Sequence, residues 1–120
     1  MSKSQNSKHY DLEDRTLEFA KKVRELIRRI AKTITNIEDT KQLARASGSV
    51  GANYIEANEA LSKKDFVLRI KICRKEAKES QYWLKLINLN NEELDQKRND
   101  LIREATELMK IFGAIIHKSE

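Results

Sequence analysis

Nowhere in its 120 residues does this chain contain a proline, and it contains only three glycines. Those two residues supply the fixed and left-handed backbone angles from which tight turns are made, so a many-turned sandwich or barrel lacks its usual corners here. Long helices remain. A disulfide scaffold is excluded as well, because Cys73 is the one cysteine. A single 14.0 kDa domain buries roughly two-thirds of its unfolded surface, and 39% apolar residues are enough to fill one core. No run approaches the about 18 consecutive apolar residues of a membrane span, and the opening MSKSQNSKHYDLED lacks a signal-peptide core. The expected location is cytoplasmic.

Residues 1–10 are polar and carry no periodic apolar positions, which reads as a flexible N-terminal tail ahead of one helical domain over 11–120. From Leu12 onward apolar residues return every three or four positions: Phe19, Val23, Leu26 and Ile30 mark a helix over about 12–34. Thr35, Asn36 and Asp39 then read as the start of a second helix reaching about Leu61, with the stripe Leu43, Ser47, Val50, Tyr54, Ala57 and Leu61. Ser62 and Asp65 form a capping-box signature before a third helix over about 63–89, striped by Phe66, Ile70, Cys73, Ala77, Ser80, Leu84 and Ile87. Asn90 and Asn91 open a fourth, which carries Leu94, Leu101, Ala105, Leu108, Phe112 and Ile115 and ends near His117. Rods of similar length joined by short loops must run antiparallel to their neighbours. The expected fold is all-α, an antiparallel up-down-up-down four-helix bundle.

Candidate chemistry is sparse. His9 and His117 lie at opposite ends, no Glu-x-x-His pair exists for a di-iron bundle, and no glycine-rich phosphate loop is present, so no catalytic residue, metal ligand, cofactor or small-molecule substrate is expected. Cys73 falls on a core stripe and reads as a small buried hydrophobe rather than a nucleophile. Gly48 and Gly51 each cost about 0.8–1 kcal/mol in a helix interior relative to alanine. With Ala44 and Ile55 they form a small-residue face, suited to close helix packing or, in a second reading, to a backbone-lined ligand site. On the other flank of the same helix stand Gln42, Ser49, Asn53 and Glu56, either a solvated edge or a hydrogen-bonded network at a subunit contact.

The third helix says most about partners. Leu68, Ile72, Trp83 and Leu86 lie opposite its core stripe, an apolar face that a lone bundle leaves in water and that marks an oligomer interface together with Ser49, Asn53 and Glu56. Lys64, Lys71, Lys78 and Lys85 recur every seven residues, with Arg74 and Lys75 between them, so they make one basic stripe. Residues 62–90 carry eight basic and three acidic groups, and residues 12–35 carry seven and four; helices 2 and 4 are each slightly acidic. In an up-down bundle the two basic helices are diagonal, giving separate ridges. Lys64, Lys71, Arg74, Lys78 and Lys85 are the candidate contacts for RNA or DNA phosphates, without base reading.

Residues 44–87, followed by EATELMKIFGAIIHK, resemble the bacterial four-helix-bundle family of 23S rRNA-intervening-sequence proteins. The carrying residues are Ser49, Asn53, Glu56, the Ser62-Lys63-Lys64-Asp65-Phe66 helix start, Glu76 and Trp83. Ala57 stands where many members have glycine, so the second helix is expected to run on. The resemblance implies no established enzymatic activity and a ring-forming homo-oligomer, a pentamer. The fold is also similar to the accessory protein of diversity-generating retroelements, a basic bundle that works with nucleic acid and a reverse transcriptase. Two functions follow as expectations: a non-enzymatic, self-associating scaffold with sequence-nonspecific nucleic-acid contact, or a dedicated accessory protein of a reverse transcriptase.

Overall fold

A computed structural model describes the backbone from Ser7 and the side chains from Leu12 onward, to Glu120. Four helices follow one another: α1 (Ser7–Arg28), α2 (Ile34–Asn58), α3 (Lys63–Leu86) and α4 (Glu92–Ser119). Helix α2 packs between α1 and α3, and α4 between α3 and α1, so α1 and α3 are diagonal, as are α2 and α4. This is the expected up-down-up-down bundle. Its extents of 44 × 31 × 19 Å make the cross-section a flattened one.

Two helix starts follow their sequence signals closely. Ser62 accepts a hydrogen bond from the Asp65 backbone N–H at 3.0 Å to open α3, and Asn91 Oδ1 accepts from Leu94 at 2.9 Å to open α4. Glu92, Glu93 and Asp95 then place negative charge in the first turn of α4, where the helix dipole favours it.

Other boundaries differ from the sequence reading. Residues 1–6 of the expected tail lie outside the described residues, while Ser7–Tyr10 already belong to α1, since no breaker separates them from the amphipathic stretch. At its other end α1 stops at Arg28 rather than near residue 34. The amides of Arg29 and Ile30 bond back three residues, tightening the chain so that Ile30 enters the core. Thr33, not Thr35, Asn36 or Asp39, caps α2 by accepting from the Asn36 N–H. Asn36 itself is buried: Nδ2 donates to the carbonyls of Ala31 (3.0 Å) and Asn88 (3.1 Å), and Oδ1 accepts from the Asn88 N–H. One side chain thus ties the α1–α2 loop to the α3–α4 loop.

Helix α2 does not run on past Ala57 as expected; it ends at Asn58, and Glu59 and Ala60 bond back three residues. Leu61, assigned by its spacing to the core stripe, is 99% exposed, because Ala57 is the last residue of α2 that faces the core. Helix α3 ends at Leu86, where Ile87 turns extended and drops into the core. In α4, Ile116 is buried and Ile115 half-buried, and the helix continues to Ser119.

The core draws on all four helices, with Phe19, Leu26, Leu43, Val50, Ile70, Leu84, Leu108 and Phe112 among its buried members. Each such side chain contributes about 1.5–3 kcal/mol by leaving water. The buried hydroxyls of Thr16 and Ser80 bond to the carbonyls of Leu12 and Glu76, each 2.9 Å away and four residues earlier in the same helix. Gly51 explains itself here: a Cβ built on it would meet Thr16 Oγ1 at 2.8 Å, so α1 and α2 approach closely only because that position has no side chain. The packing reading of Gly51 holds.

Candidate functional site

The α2–α3 seam gathers the polar residues that stood out in the sequence, and it does so by ordinary helical spacing. Arg45, Ser49, Asn53 and Glu56 follow one another along one side of α2. Opposite them on α3 are Arg69, Ile72, Glu76 and Glu79. Arg69 donates to Asn53 Oδ1 at 3.0 Å, and Asn53 Nδ2 donates to the Ser49 carbonyl at 2.9 Å. Further along, Arg45 reaches Glu76 at 3.4 Å and Glu79 at 3.2 Å. Glu76 is the buried member, its side chain 8% exposed, with Lys75 Nζ a further 3.9 Å from it.

This arrangement is a cross-helix network within one chain. Each of its side chains has a partner, Arg69 on the Asn53 amide and Arg45 on the Glu76 and Glu79 carboxylates, which fixes the register of α2 on α3. Sequence reasoning named Ser49, Asn53 and Glu56 but missed Arg45, Arg69 and Glu79. The sequence lacks the register that joins them: in an antiparallel pair the residues meeting across the seam have nearly constant summed numbers, so once the structure sets Asn53 opposite Arg69, Arg45 falls near residue 77. Glu56 is exposed at the end of the row.

The outer side of α3 continues from this seam. Leu68 and Leu86 are 54% and 47% exposed, and Ile72 is half-buried between them. Trp83 differs from the sequence expectation in one respect: it packs partly against the core, and its ring stands edge-on to that of Tyr82 with centroids 5.0 Å apart. The apolar strip is therefore anchored at Trp83 and open at Leu68 and Leu86.

Lys64, Lys71, Arg74, Lys78 and Lys85 are all exposed. Among the described residues, Lys64, Lys78 and Lys85 have no acidic partner within 4 Å, whereas Lys71 pairs with Glu120 at 3.1 Å. The other basic segment is differently disposed: Arg15 of α1 pairs with Glu104 at 2.7 Å and Arg29, just past the end of α1, with Glu93 at 3.0 Å, so those two cations are satisfied by α4. Hydrogen bonding in these pairs raises both guanidinium pKa values and holds the Glu93 carboxyl below the usual carboxylate range. Between the two pairs runs a groove of about 300 Å³ lined by Lys22, Glu25, Leu26, Lys97, Asp100 and Leu101 among others.

Burial pushes the Cys73 thiol up to about 12, far from a reactive thiolate at neutral pH. Among the described residues no three His, Cys, Asp or Glu side chains converge as metal ligands do, and no helix is long and apolar enough to cross a membrane.

A family model described as 23S rRNA-intervening sequence protein matches residues 8–114. Among solved structures, the chain is similar to a protein of unknown function from the S23 ribosomal protein family of Bacteroides thetaiotaomicron VPI-5482, with 32% identity and a TM-score of 0.76, over 87% of this chain and 96% of that one. No curated protein sequence gives a significant match.

Proposed function

The chain belongs to the 23S rRNA-intervening sequence protein family, and from that starting point we propose that it works by association, as a helical bundle that performs no chemistry of its own and assembles with copies of itself. The contact surface is the outer side of α2 and α3. What carries this reading is the strip of Leu68, Ile72, Trp83 and Leu86, whose two ends are about half exposed beside a matched polar network. Ser49, Asn53 and Glu56 rim the strip. A closed ring, of five copies as the family resemblance implies, covers it on every subunit and leaves no open end.

Sedimentation of the intact chain tests this. A mass several times 14.0 kDa is expected, falling when Leu68→Glu and Leu86→Glu are introduced together. Both side chains are exposed, so the helix tolerates the change; Trp83→Ala gives a second variant. A wild type that sediments as a monomer at tens of micromolar removes the reading.

A specific observation favours a second property. Lys64, Lys78 and Lys85 stand exposed along α3 without acidic partners among the described residues, which is the disposition of cations that meet phosphates. We read this ridge as a sequence-nonspecific contact for nucleic acid. Binding that weakens steeply with salt supports it, and absence of binding at about 50 mM salt removes it.

A further inference from the structure

Counted as a whole, α4 is slightly acidic, yet its charges are sorted by side. The carboxylates of Glu93 and Glu104 face α1, where they bond Arg29 and Arg15, and Asp100 lines the α1–α4 groove beside Lys22. The side against α3 is marked by two contacts. Gln81 of α3 donates to Thr106 Oγ1, and Arg74 lies 4.0 Å from where a Cβ of Gly113 would stand. Helical steps of three and four put Arg103, Thr106, Lys110, Gly113 and His117 in one row. The side chains of Arg103 and Lys110 are 69% and 70% exposed.

On α3 the matching row is Lys71, Arg74, Lys78, Gln81 and Lys85. The two rows run side by side in opposite directions, joined through Gln81–Thr106 and Arg74–Gly113. Among the described residues, acidic groups reach this face only as local partners: Glu120 to Lys71, Glu107 to Lys110 at 3.7 Å, and Asp100 to Arg103. Excess positive charge remains along the α3 row, while on α4 Arg103 and Lys110 each share their charge with one exposed carboxylate three residues earlier, a pairing that is weak in water.

We infer that the outer α3–α4 face is one two-row surface for the phosphate backbone of a nucleic-acid duplex, with exposed Arg103 and Lys110 exchanging their local carboxylates for phosphates beside the α3 lysines. The phosphate contact itself rests on the second reading above. A duplex suits the geometry better than a single strand. Lysines seven residues apart repeat about every 10.5 Å on a rigid rod, and packed helices lie about 8–10 Å apart. Two such rows, extended by long side chains, compare with a groove about 12 Å wide that has one phosphate strand on each side. Among the described residues Tyr82 is the one exposed Phe, Tyr or Trp beside the rows, short of the stacking platforms that single strands require.

The experiment is anisotropy of labelled duplexes of about 20 base pairs, as DNA and as RNA, titrated with the full chain from about 50 to 200 mM salt. Each phosphate neutralised on a DNA duplex contributes about 0.9 to the log–log slope, so Arg103→Gln with Lys110→Gln is expected to flatten it by about 1.8. Lys22→Gln with Lys97→Gln, which changes net charge equally but lies in the α1–α4 groove, is expected to leave the slope as it was. If wild type binds and only Lys71→Gln, Lys78→Gln and Lys85→Gln alter the slope, the two-row surface is wrong while the ridge stands. Equal losses from the groove variants reduce the binding to net charge and overturn the surface. Displacement by poly-L-glutamate better than by unlabelled duplex makes it a dock for acidic protein instead, and no wild-type binding removes both.

Discussion

Helix α1 is fastened on one side by closeness and on the other by charge. Against α2 the backbones approach until a single methyl group at Gly51 would strike Thr16, and the buried Thr16 hydroxyl is satisfied within its own helix. Against α4 the helices stand apart over an open groove, and long side chains span the gap at Arg15–Glu104 and Arg29–Glu93. The first seam gains from dispersion and burial and is insensitive to salt. The second is screened by salt, and its pairs are worth little singly. The α2 side therefore sets where α1 sits, and the α4 side adjusts how firmly.

The largest effect expected is at the close seam. Gly51→Val forces branched carbons against buried Thr16 and should destabilise the bundle by about 3 kcal/mol in urea unfolding. Gly48→Ala is the matched control, because its nearest neighbour is the end of the flexible Arg24 side chain at 3.3 Å; it should stabilise by up to about 1 kcal/mol through helix propensity. Equal behaviour of the two variants would mean that α1 and α2 do not touch at Gly51. Cys73 offers an independent reading of the same unfolding: its thiol should label slowly in the native protein and fast only once unfolded.

Next comes the end of the molecule where both seams close. Asn36→Leu keeps the forked outline of the side chain, though with bulkier tips, but strips three hydrogen bonds, leaving the Asn88 N–H and the Ala31 carbonyl short of partners, and should cost roughly 2 kcal/mol. A loss below the scatter of surface substitutions would show that water replaces the amide there.

The charged seam should respond more weakly. A double-mutant cycle on Arg15→Ala and Glu104→Ala is expected to give a coupling of about 0.5–1 kcal/mol, shrinking in high salt. A coupling as large as the Gly51 penalty would erase the contrast between the two sides. Smallest of all is the Glu93 contribution, because the pair with Arg29 is exposed. Since Arg29 lowers the Glu93 pKa, the stabilisation is complete above the unfolded carboxylate's value and disappears as pH falls through the folded one. Glu93→Gln should thus melt below wild type at neutral pH and converge with it in acid. Curves that stay parallel down to about pH 3 would mean that the ion pair does not form.

Periodicity made the four helices, the caps at Ser62 and Asn91 and nearly every core position legible in the sequence, because burial of one helix face is a local pattern repeated every three or four residues. It misplaced Leu61, where the spacing continued after the core had ended. It also assigned Asn36 to a cap, since a buried amide bridging two loops involves Asn88, fifty-two residues away, and no local pattern records that pairing. At the candidate surfaces the same division holds. Ser49, Asn53 and Glu56 could be singled out along one helix, but Arg69 and Glu76 join them only once α3 is laid against α2. The acidic count of α4 concealed Arg103 and Lys110, because a net charge sums over all sides of a helix. Which side meets a basic α1 and which extends the lysine row of α3 was decided by packing alone, since charges act through space and their neighbours are chosen by the fold.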